Sequence, residues 1–168
     1  GGNRGGGIYI HAKSEFTLNR CVFRENVANA LIPPLGVSEA GAIYSQDSTG
    51  KVSNSLFIQN QSHAGNSVRS FMTDVGALGF ENCTFDMTPY DDIYSLTEVS
   101  WADNPPFFLN CIFTGREKSI FMNLNGDVRY SNIQGGYPGV GNIEGDPKFV
   151  DPANGDYHLL RSSPVSVR

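Results

Sequence analysis

Charged residues are scarce in this chain of 168 residues, and they form no basic cluster. Asp, Glu, Lys and Arg make up 17% of the sequence, and the net charge is −5. The usual charged share is about 25%. Nucleic-acid binding proteins usually have a basic patch or stripe, so this composition argues against a nucleic-acid partner. Because no run of 18 apolar residues occurs, no transmembrane segment is predicted either.

Several signatures of site chemistry are also missing. The three cysteines are an odd number, which does not fit a closed set of disulfides. His11, His63 and His158 lack the spacing of a zinc site, and no Gly-x-Ser-x-Gly sequence marks a nucleophilic serine. The sequence therefore predicts no metal site and no serine nucleophile of that kind.

A short string with an apolar or small residue at its first, fourth and sixth positions repeats along the chain. Its copies lie at 18–23, 52–57, 80–85, 108–113 and 128–133, so the last position advances by 34, 28, 28 and 20 residues. A second string, with an apolar residue at its second position, lies at 7–10, 42–45, 67–70, 92–95 and 119–122. Two alternating strings of similar period predict a solenoid of stacked coils.

The spacing within the first string predicts a bend in each coil. Strict alternation of side chains across a strand is broken between its first and fourth positions, where Asn54, Asn82 and Asn110 stand in three consecutive coils. Asparagine tolerates the left-handed conformation of a tight bend, and its amide can bond the next asparagine of the stack. The last position of each copy is then inward, which predicts a column containing Phe57, Phe85 and Phe113.

These patterns predict an all-β fold, a single β-solenoid of about six coils with three short strands per coil. Residues 1–142 are assigned to the coils, and residues 143–168 to a closing segment and a final loose coil, in which Ile143, Val150 and Leu159 are expected to point inward. The Gly-rich start lacks an initiator Met and nothing there resembles a cap. We therefore expect a piece of a longer chain, or end-to-end self-association through the uncapped N-terminal coil, since unpaired strand edges favour association.

Four short motifs carry a family resemblance. Gly5-Gly6-Gly7-Ile8 and Ala40-Gly41-Ala42-Ile43, with Phe23-Arg-Glu-Asn26 and Phe57-Ile-Gln-Asn60, are similar to the repeat motifs of polymorphic outer-membrane proteins. The chain as a whole resembles the right-handed parallel β-helix of the pectate-lyase-like class, and secreted bacterial β-helix proteins in particular. The resemblance implies a right-handed parallel β-helix and an extracellular or cell-surface location.

A column of mostly aromatic residues is predicted on the outside of the strands of the second string. Its members are Tyr9, Tyr44, Arg69, Tyr94 and Phe121. In the class that the chain resembles, this sheet is where sugar chains usually bind. Aromatic rings stack on sugar C–H surfaces and an arginine can hold a carboxylate, so these five residues are the candidate ligand-binding site. A purely structural aromatic ladder is the alternative.

Acidic residues next to this column suggest a second kind of site. Asp91 and Asp92 stand at the entry to the fourth copy of the second string, near Arg69 in the predicted stack. Together these three are candidate catalytic residues of a polysaccharide lyase or glycoside hydrolase. Asp91 and Asp92 could also bind Ca2+ through their oxygens, and the alternative is an ordinary solvated turn.

Three functions follow as hypotheses. The first is a non-catalytic stalk or binding module of a secreted or cell-surface protein, presenting a flat parallel sheet to a glycan or another protein. The second is an enzyme, a lyase or hydrolase acting on an extracellular polysaccharide. The third is a self-assembling structural β-solenoid.

Overall fold

The described part of the protein is all-β, as predicted, with one short 3-10 turn. This computed structural model describes residues 5–28, 40–62, 67–71, 78–86, 97–100, 106–115 and 127–165. The strands are, in chain order, β1 (Ile8–Ile10), β2 (Glu15–Asn19), β3 (Val22–Arg24), β4 (Val27–Ala28), β5 (Ile43–Gln46), β6 (Thr49–Ser53), β7 (Leu56–Ile58), β8 (Gln61–Ser62), β9 (Val68–Phe71), β10 (Leu78–Glu81), β11 (Thr84–Asp86), β12 (Thr97–Ser100), β13 (Phe107–Leu109), β14 (Ile112–Thr114), β15 (Asp127–Arg129), β16 (Asn132–Ile133), β17 (Phe149–Asp151) and β18 (Asp156–Leu159). Within those ranges, no helix is long and apolar enough to cross a membrane.

The strands form three parallel sheets, and the chain visits them in the same order on each passage. Sheet 1 contains β1, β5, β9 and β12; sheet 2 contains β2, β6, β10, β13 and β15; sheet 3 contains β3, β7, β11, β14 and β16. Within a sheet, neighbouring strands come from successive passages of the chain. We call the strands of one passage a rung. β4 and β8 form a further parallel pair, so each of the first two rungs has one additional short strand. The repeat pattern does not predict this strand.

One residue in each rung turns the chain from sheet 2 into sheet 3. It has a φ between 50° and 56° in five rungs, at Arg20, Asn54, Asn82, Asn110 and Tyr130. Non-glycine residues rarely adopt this left-handed conformation, and asparagine tolerates it better than most. The predicted bend at Asn54, Asn82 and Asn110 is therefore confirmed.

Side-chain amides at this corner bond to one another from rung to rung. Asn110 Nδ2 donates to Asn82 Oδ1 at 2.7 Å, and Asn82 Nδ2 donates to Asn54 Oδ1 at 3.3 Å. Asn54 Nδ2 donates in turn to Asn19 Oδ1 at 2.8 Å. All three bonds point toward the first rung. We call these four residues the asparagine ladder.

Two stacks of phenylalanine rings fill the interior between sheets 2 and 3. In sheet 3, successive ring centroids lie 4.5 to 5.0 Å apart in the order Phe23, Phe57, Phe85 and Phe113. In sheet 2, Phe80 and Phe108 stack with centroids 4.9 Å apart, and the two stacks meet edge to face at 5.5 to 6.0 Å. The predicted column of Phe57, Phe85 and Phe113 is confirmed, and all three rings are fully buried.

The residues that carry the family resemblance hold the rungs together. Asn60 Oδ1 accepts from the backbone N–H of Asn26 at 3.1 Å and from its amide at 2.9 Å, while Asn60 Nδ2 donates to the carbonyl of Phe23 at 3.0 Å. A Cβ at Gly6 would lie 2.4 Å from the carbonyl oxygen of Gly41, so no larger residue fits there. Both motifs therefore have a structural role in this chain.

Residues 137–143 cover the last rung. Asn142 Oδ1 accepts from the backbone N–H of Ser131 at 3.0 Å, and Asn142 Nδ2 donates to the carbonyl of Val128 at 2.9 Å. The ring of Tyr137 packs against the buried core. These contacts satisfy backbone groups that would otherwise pair with a further rung.

An antiparallel hairpin follows, in place of the expected loose coil. β17 and β18 pair antiparallel around a 3-10 turn, in which the Asp151 side chain accepts from the backbone N–H of Asn154 and Gly155 has a φ of 86°. Pro152 and Gly155 fix a turn that reverses the chain, so these strands cannot continue a parallel stack. The expectation that Val150 points inward is wrong, since it is 49% exposed.

The corner conformation and the asparagine ladder make separable contributions to stability. Asn82→Gly removes the amide but accepts a φ of 53° without strain, so we expect it to lower the free energy of unfolding by about 1 kcal/mol through lost hydrogen bonds. Asn82→Ala also removes the amide, and its Cβ is strained in the left-handed conformation, so we expect it to lower the free energy of unfolding by about 2–3 kcal/mol in total. Urea unfolding of both variants measures the difference, and an alanine variant as stable as the glycine variant would contradict the argument.

Candidate functional site

The predicted aromatic column on sheet 1 is interrupted in the structure. Tyr9 is 42% exposed and its ring stacks on that of His11 at a centroid distance of 5.1 Å. Tyr44, its partner in the next strand, is only 2% exposed and meets the Tyr9 ring edge to face at 5.3 Å. The expectation of an exposed ring at Tyr44 is therefore wrong, because the neighbouring ring and the packing around it enclose the side chain.

The register of sheet 1 also differs from the prediction in its fourth strand. The backbone of Arg69 pairs with Tyr44 on one side, as predicted, and with Glu98 on the other. The strand that pairs with β9 on this side is β12, so Glu98 and not Tyr94 follows Arg69 in the column. Tyr94 and Phe121 themselves lie outside the described residues.

The candidate catalytic group remains a prediction. Asp91 and Asp92 lie outside the described residues, and of Arg69 only the backbone pairing is described. In the ranges that are described, no group of three or more His, Cys, Asp or Glu lies close enough together to hold a metal ion. The Ca2+ site proposed at Asp91 and Asp92 is therefore untested.

The cysteines form a structural column. Cys83 and Cys111 are buried, Cys21 is half-buried, and none of the three is in a disulfide. The Cys111 thiol contacts the carbonyl oxygens of Phe80 and Leu109 at 3.6 and 3.4 Å. Burial raises the pKa of Cys111 well above its ordinary value, so this thiol stays protonated and unreactive at neutral pH.

The C-terminal hairpin lies against the outer face of sheet 3. The Tyr157 hydroxyl donates to Asp86 Oδ2 at 2.5 Å, and a Cβ at Gly155 would lie 2.4 Å from the Arg24 guanidinium. Because of this cover, Ile112 is only 7% exposed although its side chain is on the outer face. The ring of Phe149 meets that of Tyr157 edge to face at 5.0 Å.

A cavity of about 420 Å³ remains between the hairpin and the edge of sheet 3. Its polar lining includes Asp86, Thr114, Gln134, Glu144 and Asp146, and Phe149 contributes an aromatic wall. Two of the three carboxylates have partners, since Asp86 accepts from Tyr157 and Asp146 accepts from the backbone N–H of Lys148 at 2.8 Å. The first of these contacts attaches the hairpin to sheet 3, and the second belongs to a local turn.

The strand sequences contain a signal for this cover. Apolar residues occupy consecutive positions in β7 and β14, as in Leu56-Phe57-Ile58 and Ile112-Phe113. A strand with one solvated face alternates apolar and polar residues, whereas a strand buried on both faces is continuously apolar. The apolar outward positions of β7 and β14 fit a covered face, but β13 of sheet 2 is equally apolar and its outward Phe107 and Leu109 are exposed, so this signal does not by itself identify the covered sheet.

The outer face of sheet 2 is exposed. Outward residues alternate with the buried ones along its strands, and they include Thr17, Lys51, Phe107, Leu109, Asp127 and Arg129. Phe107 and Leu109 are 38% and 36% exposed. The far end of the Phe107 ring lies over Gly79 of the neighbouring strand β10. We call these outward residues, together with the asparagine ladder at their edge, the ladder face.

Four charged residues near the centre of the ladder face form two ion pairs. Lys51 Nζ lies 2.8 Å from Glu81 Oε2, between neighbouring strands. Arg129 binds both oxygens of Asp127, at 2.7 and 2.5 Å. The hydrogen bond and the charge of Asp127 raise the pKa of Arg129. The centre of this face is therefore electrically neutral.

The ladder amides have hydrogen-bonding capacity beyond the ladder itself. A carboxamide offers two N–H donors and two acceptor positions. Asn54 and Asn82 each use one donor and one acceptor position within the ladder, and both side chains are exposed. Each middle rung therefore presents one further donor and one further acceptor to solvent, beside the exposed ring of Phe107.

Comparison with protein-family models, with curated proteins and with solved structures gave no match. The ladder face is therefore characterised by its own geometry. It is an exposed parallel sheet with ion-paired charges at its centre, an exposed aromatic ring and a row of amides at one edge, and Glu15 and Arg20 add exposed charges at its first strand.

Tyr157 gives the hairpin a pH dependence that can be measured. Burial, and then its hydrogen bond to Asp86, raise the pKa of Tyr157 above its ordinary value of 10.0. Its contribution to stability is therefore complete below pH 10 and is lost as the pH rises toward the higher folded-state value. We expect Tyr157→Phe to cost about 1–2 kcal/mol at pH 7, and this difference from the unmodified chain to shrink above pH 10. Urea unfolding at pH 7 and pH 11 tests it, and an equal difference at both values would contradict it.

Proposed function

We propose that the three sheets are the faces of one right-handed parallel β-helix, and that the chain is a non-catalytic binding module. The monotonic strand order in sheets 1, 2 and 3 supports a helical path, as does the repeated left-handed corner. The Gly-rich and Phe-x-x-Asn motifs have structural roles that any such helix would need. Their likeness to secreted bacterial proteins supports a place outside the cell or on its surface.

The observation that carries this proposal is the contrast between the outer faces of sheets 2 and 3. The hairpin lies over the middle of sheet 3, through the bond between Tyr157 and Asp86, although Val22 in the first strand of that sheet is 63% exposed. It leaves Phe107 and Leu109 exposed on sheet 2, in adjacent outward positions of one strand. Exposed apolar side chains that lie together on an otherwise polar surface often mark an interaction site.

The ligand chemistry that fits the ladder face is an uncharged glycan. Lys51 and Arg129 are already neutralised by Glu81 and Asp127, so neither an acidic nor a basic polymer would gain an unpaired partner at the centre. Sugar rings offer apolar C–H faces and many hydroxyl groups. The C–H faces match the ring of Phe107, and hydroxyl groups match amides that both donate and accept.

Binding to insoluble and soluble polysaccharides tests the proposal. We expect the chain to be retained by at least one neutral polysaccharide in affinity electrophoresis, and Phe107→Ala to weaken the binding about tenfold, or ~1.4 kcal/mol, through lost ring contact. Val150→Ala is the matched control, because Val150 is also an exposed apolar residue, at 49% against 38% for Phe107, but lies on the hairpin. Circular dichroism of each variant checks that the fold is kept.

Three results would overturn this reading. Retention by no neutral polysaccharide would remove the proposed ligand class, and undiminished binding of Phe107→Ala would remove the ladder face as its site. The release of new reducing or unsaturated sugar ends would show catalysis. That outcome would favour the lyase or hydrolase hypothesis, with Arg69, Asp91 and Asp92 as the candidate catalytic residues.

A further inference from the structure

We infer that the ladder face selects extended, β-linked neutral polysaccharides, bound with the sugar chain running along the stack from rung to rung. This inference rests on the proposed function and narrows it to one class of glycan. It follows from the direction, the spacing and the polarity of the asparagine ladder.

The ladder is a straight row of identical groups. Its members from Asn54 to Asn110 occupy the same corner position in consecutive rungs, and the backbone pairing fixes their order. Parallel strands are spaced by about 4.8 Å, so the amides recur at that interval along the stack. A linear polymer can follow this row only if its repeat has nearly the same length and its chain is extended rather than coiled.

The repeat of an extended β-linked sugar chain meets this requirement. Each sugar ring of such a chain advances by nearly the spacing of adjacent rungs. The equatorial hydroxyl groups of the chain lie along the edges of a flat ribbon. An α-linked chain such as amylose coils instead, so successive rings leave the row. The geometry therefore favours flat β-linked chains over helical α-linked ones.

The polarity of the ladder suits hydroxyl groups in particular. Every ladder bond runs in the same direction, from Asn110 toward Asn19, so the amides have one common orientation. On each middle amide, one N–H and one acceptor position are not used by the ladder, and both residues are exposed. A sugar hydroxyl both donates and accepts, so it can bridge the acceptor of one amide and the donor of the next.

Exposed rings flank the row at its C-terminal end. Phe107 lies three residues before Asn110, and its ring extends toward the preceding rung over Gly79. Tyr130 takes the corner position after Asn110 and is 49% exposed. A flat ribbon that bonds the amides by one edge would place its C–H faces near these rings, as the binding of a sugar chain requires.

Two matched series of soluble oligosaccharides test the inference. Calorimetric titration with β-1,4-linked gluco-, manno- or xylo-oligosaccharides of two to six units is compared with titration by malto-oligosaccharides of the same lengths. Sheet 2 has five strands, so we expect the affinity of at least one β-linked series to rise with each unit up to about five and then level off. We expect the α-linked series to bind at least tenfold more weakly.

Asn82→Gly provides the residue-level test. It keeps the corner conformation while removing the central amide, and it is measured well below its own unfolding temperature. We expect a three- to tenfold loss of affinity for oligomers of four or more units, with little change for dimers. A purely structural role of Asn82 would lower the stability of the variant and leave all affinities unchanged.

The possible outcomes separate the two proposals. Equal or tighter binding of the malto-oligosaccharides, or an affinity that saturates at the dimer, would overturn the inference while leaving a glycan-binding module in place. Full affinity of Asn82→Gly for long oligomers would overturn it as well. Binding of neither series, together with no retention by any neutral polysaccharide, would overturn the proposed function itself.

Discussion

A single left-handed residue between sheet 2 and sheet 3 sets the register of the whole stack. The segment from sheet 2 through this corner into sheet 3 has the same form in every described rung, although the corners are 34, 28, 28 and 20 residues apart in sequence. All the variation in length is therefore taken up by the connections that lie outside this segment. Because the corner is invariant, Phe57, Phe85 and Phe113 meet face to face and the amides meet edge to edge.

This division explains which parts of the fold could be predicted from the sequence. Phe85 and Asn82 lie within the constant segment, where local spacing determines both the side of the strand and the corner. The fourth strand of sheet 1 follows a variable connection, so spacing could not set which residues pair with β9; in the structure Thr97 pairs with Val68 and Val99 with Ser70. The structure selects β12, which includes Val99. Likewise, alternation places Tyr44 on the outside of its sheet, but no local pattern states whether that side is covered.

The outer faces of the sheets differ in what covers them rather than in composition. Outward positions are apolar both in β7 of sheet 3 and in β13 of sheet 2, yet Ile58 is 3% exposed and Leu109 is 36% exposed. The cover itself follows from residues distant in sequence, since Tyr157 reaches Asp86 across 71 positions. A contact between residues so far apart cannot be predicted from the local sequence around Asp86 or around Tyr157. It nevertheless affects which surfaces are available, because the hairpin covers the middle of sheet 3 and leaves the ladder face in contact with solvent.

The rigidity of the ladder face matters for the strength of any binding there. A single exposed hydrogen bond to a sugar hydroxyl contributes only about 0.5–1.5 kcal/mol, which is too little to hold a ligand alone. Several such bonds add up only if the amides are already in line, since ordering mobile side chains would cost a comparable free energy for each one. The ladder bonds and the fixed corner hold Asn54, Asn82 and Asn110 in line before a ligand arrives. The interactions that stabilise the stack are therefore the same ones that would make a repeating, weakly bonding surface effective toward a polymer and ineffective toward its monomer.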